Sequence, residues 1–592
     1  MVATKHQEAL QLVEQYLIGL GATPLNDVAL GGLYPRRGFV GGWRLEVRVA
    51  NQEITVNVLV GEGFPRTLPR VALAKPPDFP SWPHVERDGF LCLGGGDETF
   101  DETEPVEVLK SVLRDAAELL ERGISGVNDE DFRSEFCSYW ASPRVECPTA
   151  LSLIKVEGPT RRVSAWTESA PIVVAETDAE LRAWLRNYSP SKRLDRELGG
   201  AILMWVDRMP LPPEYPRTAE DVLRLARRNS GDAERLLREL CGNHQSVLVV
   251  LGGPTQHGPG LGGILIRPPV RSAPGRKRSS EEDLERGFRP GRIPSGLVAE
   301  RMLGATRISR VPVERADASW VHGRGLDRRA ARLRDLSVAV LGCGSLGSQA
   351  ARLLCQAGVG KLLLVDPQEL AWSNIGRHAL GARAVFHNKA KLLRDRLLED
   401  FPHVREITAE GRPWVEVAPT IKKADVILSA MGSWEAETLL NEWQLREGRK
   451  PTIVYAWAEP HAAAGHALAI SRAGSCFRCG FEANGSPRQV LTKWPQGATM
   501  HHEPACGAVF QPYGPIEFCY IVALAAEMIL DALLAPSAET RHRVWLAPEE
   551  RLTLTGGVLS DLGRQIAAGR SDGAFQSIAP WPNSTACPDC SA

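Results

Sequence analysis

The 592-residue sequence has almost no net charge and lacks a long apolar run, and each absence excludes a class of protein. Seventy Lys and Arg residues face 71 Asp and Glu residues, so the surplus of basic residues typical of general nucleic-acid binding is missing. No run of about 20 apolar residues is available to span a bilayer. The start, MVATKHQEALQL, lacks the charged and then apolar layout of a secretion signal, so we expect a cytoplasmic protein that binds neither membrane nor nucleic acid directly.

The length exceeds what one hydrophobic core supports, and the alternation of helix-like and strand-like segments predicts an α/β multidomain protein. Residues 1–150 read as a compact α/β domain and residues 151–300 as a middle α/β domain without a chemical motif. The stretch 271–298 is charged and rich in Gly, Pro and Ser, which favours a linker or mobile loop. Residues 301–592 form the largest predicted unit, which opens with a Rossmann-like βαβ pattern.

A glycine motif lies inside that pattern, in SVAVLGCGSLGSQAARLLCQAGVGKLLLVD. Gly342, Gly344 and Gly347 form G-x-G-x-x-G, which permits a tight turn and lets a phosphate approach the N-terminus of the following helix. Asp366 ends the second strand, where a carboxylate reaches ribose hydroxyls. NAD-dependent oxidoreductases share these features, so the motif alone leaves that alternative open.

Three polar residues beyond Asp366 indicate whether the site binds ATP or a nicotinamide nucleotide: Asn374, Arg377 and Lys389. Two cations and an amide suit a triphosphate, whose charge they neutralise during adenylyl transfer, and a nicotinamide site does not need them. The combined pattern resembles the ThiF/MoeB-like adenylating enzymes, which activate proteins of the ubiquitin and sulfur-carrier pathways. The resemblance implies ATP as substrate, with Asp366 on the ribose and Arg377 and Lys389 on the phosphates.

The same resemblance implies further features of the adenylation domain. Arg324 occupies the family's place for an arginine that is often supplied across a dimer interface, so we expect a homodimer. The family usually carries a Mg²⁺-binding Asp after the strand ADVILSA, and here Gly432 stands at that place. Asp425 and Glu435 are the alternative carboxylates for the metal.

Two Cys-x-x-Cys pairs, at Cys476 and Cys479 and at Cys587 and Cys590, predict a metal site. In a reducing compartment, two such pairs suit a tetrahedral zinc site made of four thiolates. ThiF/MoeB-like proteins use two similarly distant pairs, so the resemblance implies structural Zn²⁺. A closed four-thiolate site has no open coordination position and receives no catalytic role.

Cys506 is the candidate catalytic cysteine of the adenylation domain, because it lies on the loop-like stretch ATMHHEPACGAVFQPYG. In the activating enzymes that this domain resembles, the cysteine on such a crossover segment attacks the acyl-adenylate and carries the acyl group away. His501, His502 and Glu503 are candidates to assist its deprotonation.

The strings FPRTLPRVAL and WPHVERDGFLCL in residues 1–150 resemble ubiquitin-conjugating enzymes, which show a Pro-x-x-x-Pro strand followed by H-P-N-V-x-x-x-G-x-x-C-L. Cys92 takes the place of the thioester cysteine. His84 replaces the Asn that stabilises the developing oxyanion, and His can also donate a hydrogen bond. Asp97 and Glu98 are candidates to orient the acceptor amine.

A conjugating-type domain ahead of an activating-type domain resembles the bacterial fusion proteins of cyclic-oligonucleotide-based antiphage signalling (CBASS) operons. The resemblance implies that ATP adenylates the C-terminal carboxylate of a cGAS-like nucleotidyltransferase, that Cys506 captures the acyl group, and that Cys92 delivers it to an unidentified amine. Three alternatives stay open: a ubiquitin-like protein as donor, an NAD-dependent oxidoreductase, and a non-catalytic nucleotide-binding scaffold.

Overall fold

The structure is a computed structural model of the 592-residue chain, which divides into two compact units. The first unit contains Met1–Leu181 and Leu198–Glu314, and the second contains Arg182–Glu197 and Arg315–Ala592. The structure describes all residues except 1, 36, 95–99, 141–147, 168–169, 189–197, 244–245, 269–271, 274–275, 278–283, 285, 290–291, 305, 503–508, 512, 584–586 and 591–592. The side chains of residues 2–4, 272–273, 276–277, 502, 509–510 and 574–576 also lie outside the description.

The amino-terminal part of the first unit is a four-stranded antiparallel meander covered by helices. Ala50 and Asn51 both have positive φ, +48° and +62°, as a tight two-residue hairpin turn requires. Trp43 and Leu45 alternate with exposed residues and pack under two long helices, as expected for a sheet with one buried face. The strands are Thr23–Pro24, Phe39–Val49, Gln52–Gly61 and Arg70–Leu73, and the helices are Val2–Gly19, Asp27–Leu33, Pro105–Ser125, Asp131–Ser134 and Phe136–Trp140.

An eight-stranded mixed sheet forms the rest of the first unit. Its central strands are almost entirely buried, which explains their continuous apolar sequence. From edge to edge the strands are Ser309–Val311, Gly258–Ile266, Val247–Thr255, Gly199–Trp205, Arg161–Trp166, Ile172–Ala175, Ala150–Ser152 and Val313–Arg315. The helices here are Asp178–Tyr188, Pro212–Glu214 (3-10), Ala219–Asn229, Gly231–Cys241 and Ser295–Met302, and Ser272–Ala273 pairs with Arg276–Lys277.

The middle sheet continues beyond the predicted boundary at residue 300, because Ser309–Val311 and Val313–Arg315 are two of its strands. The described residues of the predicted linker also contribute to the core. Leu284 is fully buried, and the helix Ser295–Met302 buries Val298 and Met302 in the same cluster. This part of the segment is therefore packed structure rather than an open connection.

The second unit is built on an eight-stranded sheet in which the first five strands are parallel and the last three antiparallel. The carboxyl ends of parallel strands meet at one edge, and in open α/β sheets ligands bind at that edge. In spatial order the strands are Glu406–Glu410, Lys361–Val365, Ser337–Leu341, Val426–Ser429, Thr452–Ala458, Ala464–Ile470, Arg541–Leu546 and Ala574–Ile578.

The helices of the second unit cover both faces of its sheet, which buries two apolar clusters and confirms the α/β architecture predicted from the sequence. No helix in the described part of the chain combines the length and the apolar character needed to cross a bilayer. The helices are Ala318–Val321, Arg328–Leu333, Ser345–Ala357, Lys389–Asp400, Ala418–Ile421, Trp434–Arg446, Pro515–Leu534, Glu549–Leu554 and Asp561–Ala567. Short 3-10 helices span Trp372–Asn374, Ala382–Ala384, Trp414–Val417, Pro460–Ala462 and Phe477–Gly480, and two-residue strands pair Thr492–Lys493 with Val558–Leu559 and His501–His502 with Val509–Phe510.

Candidate functional site

The three motif glycines connect the strand Ser337–Leu341 to the helix that begins at Ser345, and they serve different purposes. Gly342 has φ +88°, and a Cβ at Gly347 would lie 1.8 Å from the Gly342 carbonyl oxygen, so no side chain fits at Gly347. Gly344 has an ordinary φ of −77°, and no atom lies within 4 Å of where its Cβ would be. Protein packing therefore demands Gly342 and Gly347, whereas Gly344 leaves open space at the helix N-terminus, where a phosphate can approach.

Asp366 lies directly beside this turn. Its side chain is only 5% exposed, and its two oxygens accept hydrogen bonds from the backbone N–H groups of Cys343 (2.7 Å) and Gln368 (2.8 Å). Each carboxylate oxygen retains a second lone pair, which can accept from a hydroxyl group. The carboxylate is thus held rigidly at the edge where the sequence predicts ribose binding.

His378 supports the same turn, although sequence reasoning passed over it. Because its Nδ1 accepts from the Leu380 N–H (2.9 Å), its Nε2 carries the proton and donates to the Cys343 carbonyl oxygen (2.6 Å). Burial lowers the pKa of His378, so the ring is neutral and this tautomer persists. Its position directly after Arg377 in the N-x-x-R motif is the only signal that the sequence offers.

Lys389 begins the helix Lys389–Asp400 and is buried close to Asp366. Its Nζ donates to the side-chain oxygen of Gln368 (2.8 Å), a neutral partner that leaves the positive charge uncompensated by a direct ion pair within the described residues. Asn388 fixes this helix start, because its amide donates to the Asp366 carbonyl oxygen (2.8 Å) and its oxygen caps the helix. The structure therefore brings together the predicted ribose and phosphate residues Asp366 and Lys389.

Arg377 lies on the loop after Asp366, and its Nη1 donates to the Ser373 carbonyl oxygen (3.1 Å). The guanidinium carbon is 5.0 Å from the centroid of the Tyr513 ring, a cation–π contact. The Tyr513 hydroxyl in turn donates to Ser345 at the N-terminus of the motif helix (3.3 Å). Arg377 is thus linked through one aromatic ring to the end of the helix that the glycine turn exposes.

Two other predicted nucleotide residues have mainly local contacts in the structure. The Asn374 side-chain oxygen accepts from the Ala371 N–H (3.2 Å), so this amide stabilises the loop that carries Arg377. Arg324 is exposed, has φ +57°, and places its guanidinium 5.6 Å from the Trp320 ring centroid. Their contacts with ATP stay predictions.

The alternative magnesium ligands differ in position. Asp425 precedes the strand Val426–Ser429 and accepts from the Ser337 N–H (2.8 Å) and hydroxyl (2.7 Å), at the amino ends of the parallel strands. The expectation that Asp425 serves as a metal ligand is therefore wrong, because the nucleotide residues lie at the carboxyl ends. Gly432 and Glu435 both follow the strand at the correct edge, and Glu435 is exposed there.

Glu437, two residues beyond Glu435, is a buried carboxyl group near the same edge. Its side chain accepts from the Ser429 hydroxyl (3.0 Å), and the residue is only 7% exposed. Burial raises the pKa of Glu437 to about 7, because a charge there loses most of its hydration. The sequence offered no signal for this group, since a Glu in the first turn of a helix is usually solvated.

The four predicted metal-binding cysteines converge in the second unit. Their sulfur atoms all lie within 4.8 Å of one another, and three sulfur pairs are separated by 3.8, 3.6 and 3.5 Å. A tetrahedron with metal–sulfur bonds of about 2.3 Å has edges of roughly 3.8 Å, whereas a disulfide would need about 2.05 Å. Asn441 supports the cluster by donating to Asp589 (2.7 Å) and accepting from the Phe477 N–H (3.0 Å). The donor set and spacing fit Zn²⁺.

Cys92 in the first unit is exposed, as a transfer cysteine requires. Its backbone N–H donates to the His84 carbonyl oxygen (2.8 Å), and His84 adopts a left-handed conformation with φ +59°. The His84 ring lies between two carboxylates, with Nε2 3.2 Å from Asp131 and Nδ1 3.6 Å from Glu135. Asp97 and Glu98 lie outside the described residues.

Tyr139 completes this group and was not anticipated from the sequence. Its hydroxyl accepts from the His84 backbone N–H (2.8 Å) and donates to Glu135 (3.2 Å). Burial raises the pKa of Tyr139, so the hydroxyl stays protonated and remains a donor. Because Asp131, Glu135 and Tyr139 lie far from His84 along the chain, only the fold brings them to Cys92.

Cys506 and Glu503 lie outside the described residues, as does the side chain of His502, while His501 is exposed. The strand that leads towards this segment is anchored by Glu459, a buried carboxylate that accepts from the Leu491 (2.6 Å) and Thr492 (2.8 Å) N–H groups. Sequence reasoning had no signal for this anchor, because the pairing depends on the tertiary fold.

Substituting two of the motif glycines should show that Gly347 is needed for packing and Gly344 for the approach of a ligand. Gly347→Ala should destabilise the second unit, because its methyl group would overlap the Gly342 carbonyl oxygen. Gly344→Ala should leave the thermal midpoint within about 2 °C of the wild type but weaken ATP binding about tenfold or more, since its methyl group occupies the open space. Scanning calorimetry and ATP titration would test both, and equal destabilisation by the two variants would contradict this division.

Glu437 should give the folded state a distinct pH dependence. Its folded pKa is raised from 4.5 to about 7, so the folded state binds the proton more tightly, and stability falls as pH rises through this range. Glu437→Gln should therefore gain stability relative to the wild type at pH 8, by roughly 3 kcal/mol at most, and little at pH 5. Urea unfolding at pH 5 and at pH 8 measures the free energy of unfolding of each variant, and Glu435→Gln, at an exposed position, is the control. A pH-independent difference would refute it.

Two family models match the chain, one in each unit. The ThiF family matches residues 323–541, and the prokaryotic E2 family B matches residues 37–146. The sequence is 24% identical over 515 residues to the ATP-dependent ubiquitin transferase-like protein Cap2 of Pseudomonas aeruginosa (strain BWHPSA011 / Pa011), covering 80% of this chain and 85% of that protein. It is also 24% identical to the Vibrio cholerae protein of the same description, covering 39% of this chain and 41% of the relative.

Relatives that cover less of the chain include the ubiquitin-like modifier-activating enzyme 5 of Dictyostelium discoideum, at 25% identity over 31% of this chain and half of that enzyme. Among solved structures, E. coli MccB with ATP aligns at 15% identity and a TM-score of 0.30, covering 45% of this chain and 69% of that one. The family matches favour the adenylating interpretation of the glycine motif over an NAD-dependent oxidoreductase. The chain joins a domain of the prokaryotic E2 family B to a domain of the ThiF family, in the order that its motifs predict.

Proposed function

We propose that this protein uses ATP to activate the C-terminal carboxylate of a partner protein and passes the acyl group through Cys506 and Cys92 to an acceptor amine. The observation that carries the proposal is the presence, in one chain, of a ThiF-family domain and an E2-family domain with an exposed cysteine at the expected place. The similarity to a ubiquitin transferase-like protein over 80% of the chain supports an ATP-dependent activity of this kind.

Adenylation takes place at the carboxyl edge of the parallel strands. Asp366 is rigid and has free lone pairs for the ribose, while Gly344 leaves room for phosphate at the helix N-terminus. Lys389 and Arg377 neutralise the phosphates as the partner's carboxylate oxygen attacks the α-phosphorus and pyrophosphate leaves. Mg²⁺ adds further neutralisation when bound, and Glu435 is our proposed ligand for it.

Three acyl transfers follow, each with its own leaving group. The Cys506 thiolate attacks the acyl-adenylate carbonyl and releases AMP, which leaves a thioester. The Cys92 thiolate then attacks that thioester and frees Cys506, and the acceptor amine finally displaces Cys92 to form an amide. Asp131 holds His84 Nε2, whereas Nδ1 lies 3.6 Å from Glu135, beyond hydrogen-bond distance. Nδ1 is therefore the ring nitrogen that supplies the hydrogen bond to the tetrahedral oxyanion, in place of the usual Asn.

The donor that we favour is a cGAS-like nucleotidyltransferase, in a cytoplasmic antiphage (CBASS) system in which this protein acts as a homodimer. This choice rests on the resemblance of the domain order to the fusion proteins of CBASS operons, and the similarity to ubiquitin transferase-like proteins supports the transfer chemistry. A bacterial ubiquitin-like protein is the alternative donor, and the same active-site residues serve both. A non-catalytic scaffold is the third reading, and it predicts that neither cysteine is needed.

Thioester trapping distinguishes these readings. The full-length protein, ATP and Mg²⁺ are incubated with either candidate donor and run on non-reducing gels. We expect a thiol-sensitive adduct that Cys506→Ala abolishes and that Cys92→Ala retains on Cys506. Cys519→Ala, at another exposed cysteine, is the matched control and should behave like the wild type. Absence of a thiol-sensitive adduct with every carboxylate donor would favour the scaffold.

Zinc should be present and structural. Elemental analysis of the purified protein should find one zinc per chain, and Cys590→Ser should lose it and lower the thermal midpoint by several degrees, because a bound metal stabilises the folded state. Cys519→Ser should retain the metal. A full zinc content in Cys590→Ser, or none in the wild type, would contradict the assignment.

A further inference from the structure

Two short helices, Asp131–Ser134 and Phe136–Trp140, lie between the conjugating cysteine and the middle sheet of the first unit. One side of this helical segment contacts His84, and the other packs on residues 202–266. The steps proposed for ATP and for the two cysteines involve no residue of the middle domain. The contacts of this segment connect it to the chemistry at Cys92.

On the middle-sheet side, the segment is fixed by buried contacts. The Trp140 indole N–H donates to the Gly263 carbonyl oxygen (3.0 Å), and Arg133 donates to the Met209 carbonyl oxygen (2.6 Å). The rings of Phe136, Trp140 and Tyr215 pack with centroid distances of 4.9 to 5.9 Å. Trp140 is only 1% exposed, so this side of the segment belongs to the core of the middle domain.

On the cysteine side, Tyr139 uses its hydroxyl in both directions. It accepts from the His84 N–H and donates to Glu135. Because the hydroxyl both accepts and donates a hydrogen bond, it is fixed in one orientation. Asp131 at the start of the segment holds His84 Nε2 (3.2 Å). Both the backbone and the ring of His84 are therefore attached to these two helices.

His84 needs this support because its backbone is in the left-handed region, which is unfavourable for a residue with a side chain. Its N–H is bound by Tyr139, and its carbonyl oxygen is bound by the N–H of Cys92. Without the Tyr139 hydroxyl, the half-buried N–H of His84 would lose its partner, and the loop would relax towards an ordinary conformation. Cys92 would move with it, since its own N–H bonds to His84.

We propose that Tyr139 is the positioning residue of the conjugating site, and that the middle domain serves as the rigid support from which Tyr139 holds His84 and Cys92 in place. The proposal deepens the transfer step assigned to Cys92 and rests on that proposed function. It also gives residues 151–314 a purpose in catalysis by Cys92, without requiring them to touch substrate.

The test compares Tyr139→Phe with Tyr215→Phe in the full-length protein. Both tyrosines are 6% exposed and belong to neighbouring aromatic contacts, but the Tyr215 hydroxyl has no hydrogen-bond partner among the described residues. Each change removes a single hydroxyl, so the two variants should keep their folds. Thermal unfolding of both verifies this.

Two readouts do not depend on acyl transfer. Hydrogen exchange followed by mass spectrometry should show peptides across 84–92 exchanging about five-fold faster in Tyr139→Phe, as expected for loss of one hydrogen bond, and unchanged in Tyr215→Phe. The rate of Cys92 alkylation by iodoacetamide at fixed pH, measured by peptide mapping, should change in Tyr139→Phe alone, because the loop that carries Cys92 changes position. Superimposable exchange and alkylation in all three proteins would overturn the proposal.

The third readout is transfer itself, by following discharge of the Cys92 thioester to free lysine. Tyr139→Phe should load Cys506 normally and slow the discharge from Cys92 about five-fold or more, whereas Tyr215→Phe matches the wild type. Equal discharge rates in Tyr139→Phe and the wild type would also overturn the proposal. If the wild type forms no thioester, the proposed function fails, and the exchange and alkylation data still decide whether Tyr139 positions Cys92.

Discussion

The geometry of the adenylation domain depends on the Asp366 carboxylate, whose two oxygens bind the N–H groups of Cys343 and Gln368. These bonds join the glycine turn after the strand Ser337–Leu341 to the end of the strand Lys361–Val365. A displacement of the turn would therefore displace the end of that strand. His378 donates to the carbonyl oxygen of the same Cys343, so the peptide groups on both sides of this residue are fixed. Lys389 is connected to this arrangement because its Nζ donates a hydrogen bond to the Gln368 side chain. The carboxylate that we propose to bind the ribose is thus positioned by backbone atoms rather than by mobile side chains, which is the arrangement that electrostatic catalysis requires.

In the described part of the chain, residues near each proposed transfer cysteine are also held by a buried group. Cys92 lies on an exposed loop whose neighbour, His84, is held by Tyr139 from a buried segment. The chain leading towards Cys506 begins at a strand that the buried Glu459 holds through two backbone N–H groups. Acyl transfer needs thiols that can leave one partner and reach another, and a fixed base limits the number of conformations that such a loop must search.

The sequence predicted features whose residues are close in the chain or share a motif. The glycine turn, Asp366, Lys389 and the four-cysteine cluster are where their spacing indicated, because short motifs carry their own geometry. Prediction failed where position depends on tertiary structure. Asp425 precedes Gly432 by only seven residues but lies at the opposite edge of the sheet, and Tyr139 is 55 residues from the His84 that it holds. The middle sheet continued past residue 300 because two short strands return to it after a charged segment with no apolar periodicity.

The cysteine cluster also has a topological consequence. Two of its sulfur–sulfur contacts join positions 111 residues apart, Cys476 to Cys587 and Cys479 to Cys590. The chain between these positions includes Cys506 and the helix Pro515–Leu534. A metal bound at this cluster would therefore act as a reversible crosslink that closes one large ring. Ring closure reduces the conformational entropy of the unfolded chain, and the reduction grows slowly with ring size. A bound metal would thus keep the two ends of the segment that contains Cys506 together if the chain between them unfolded locally.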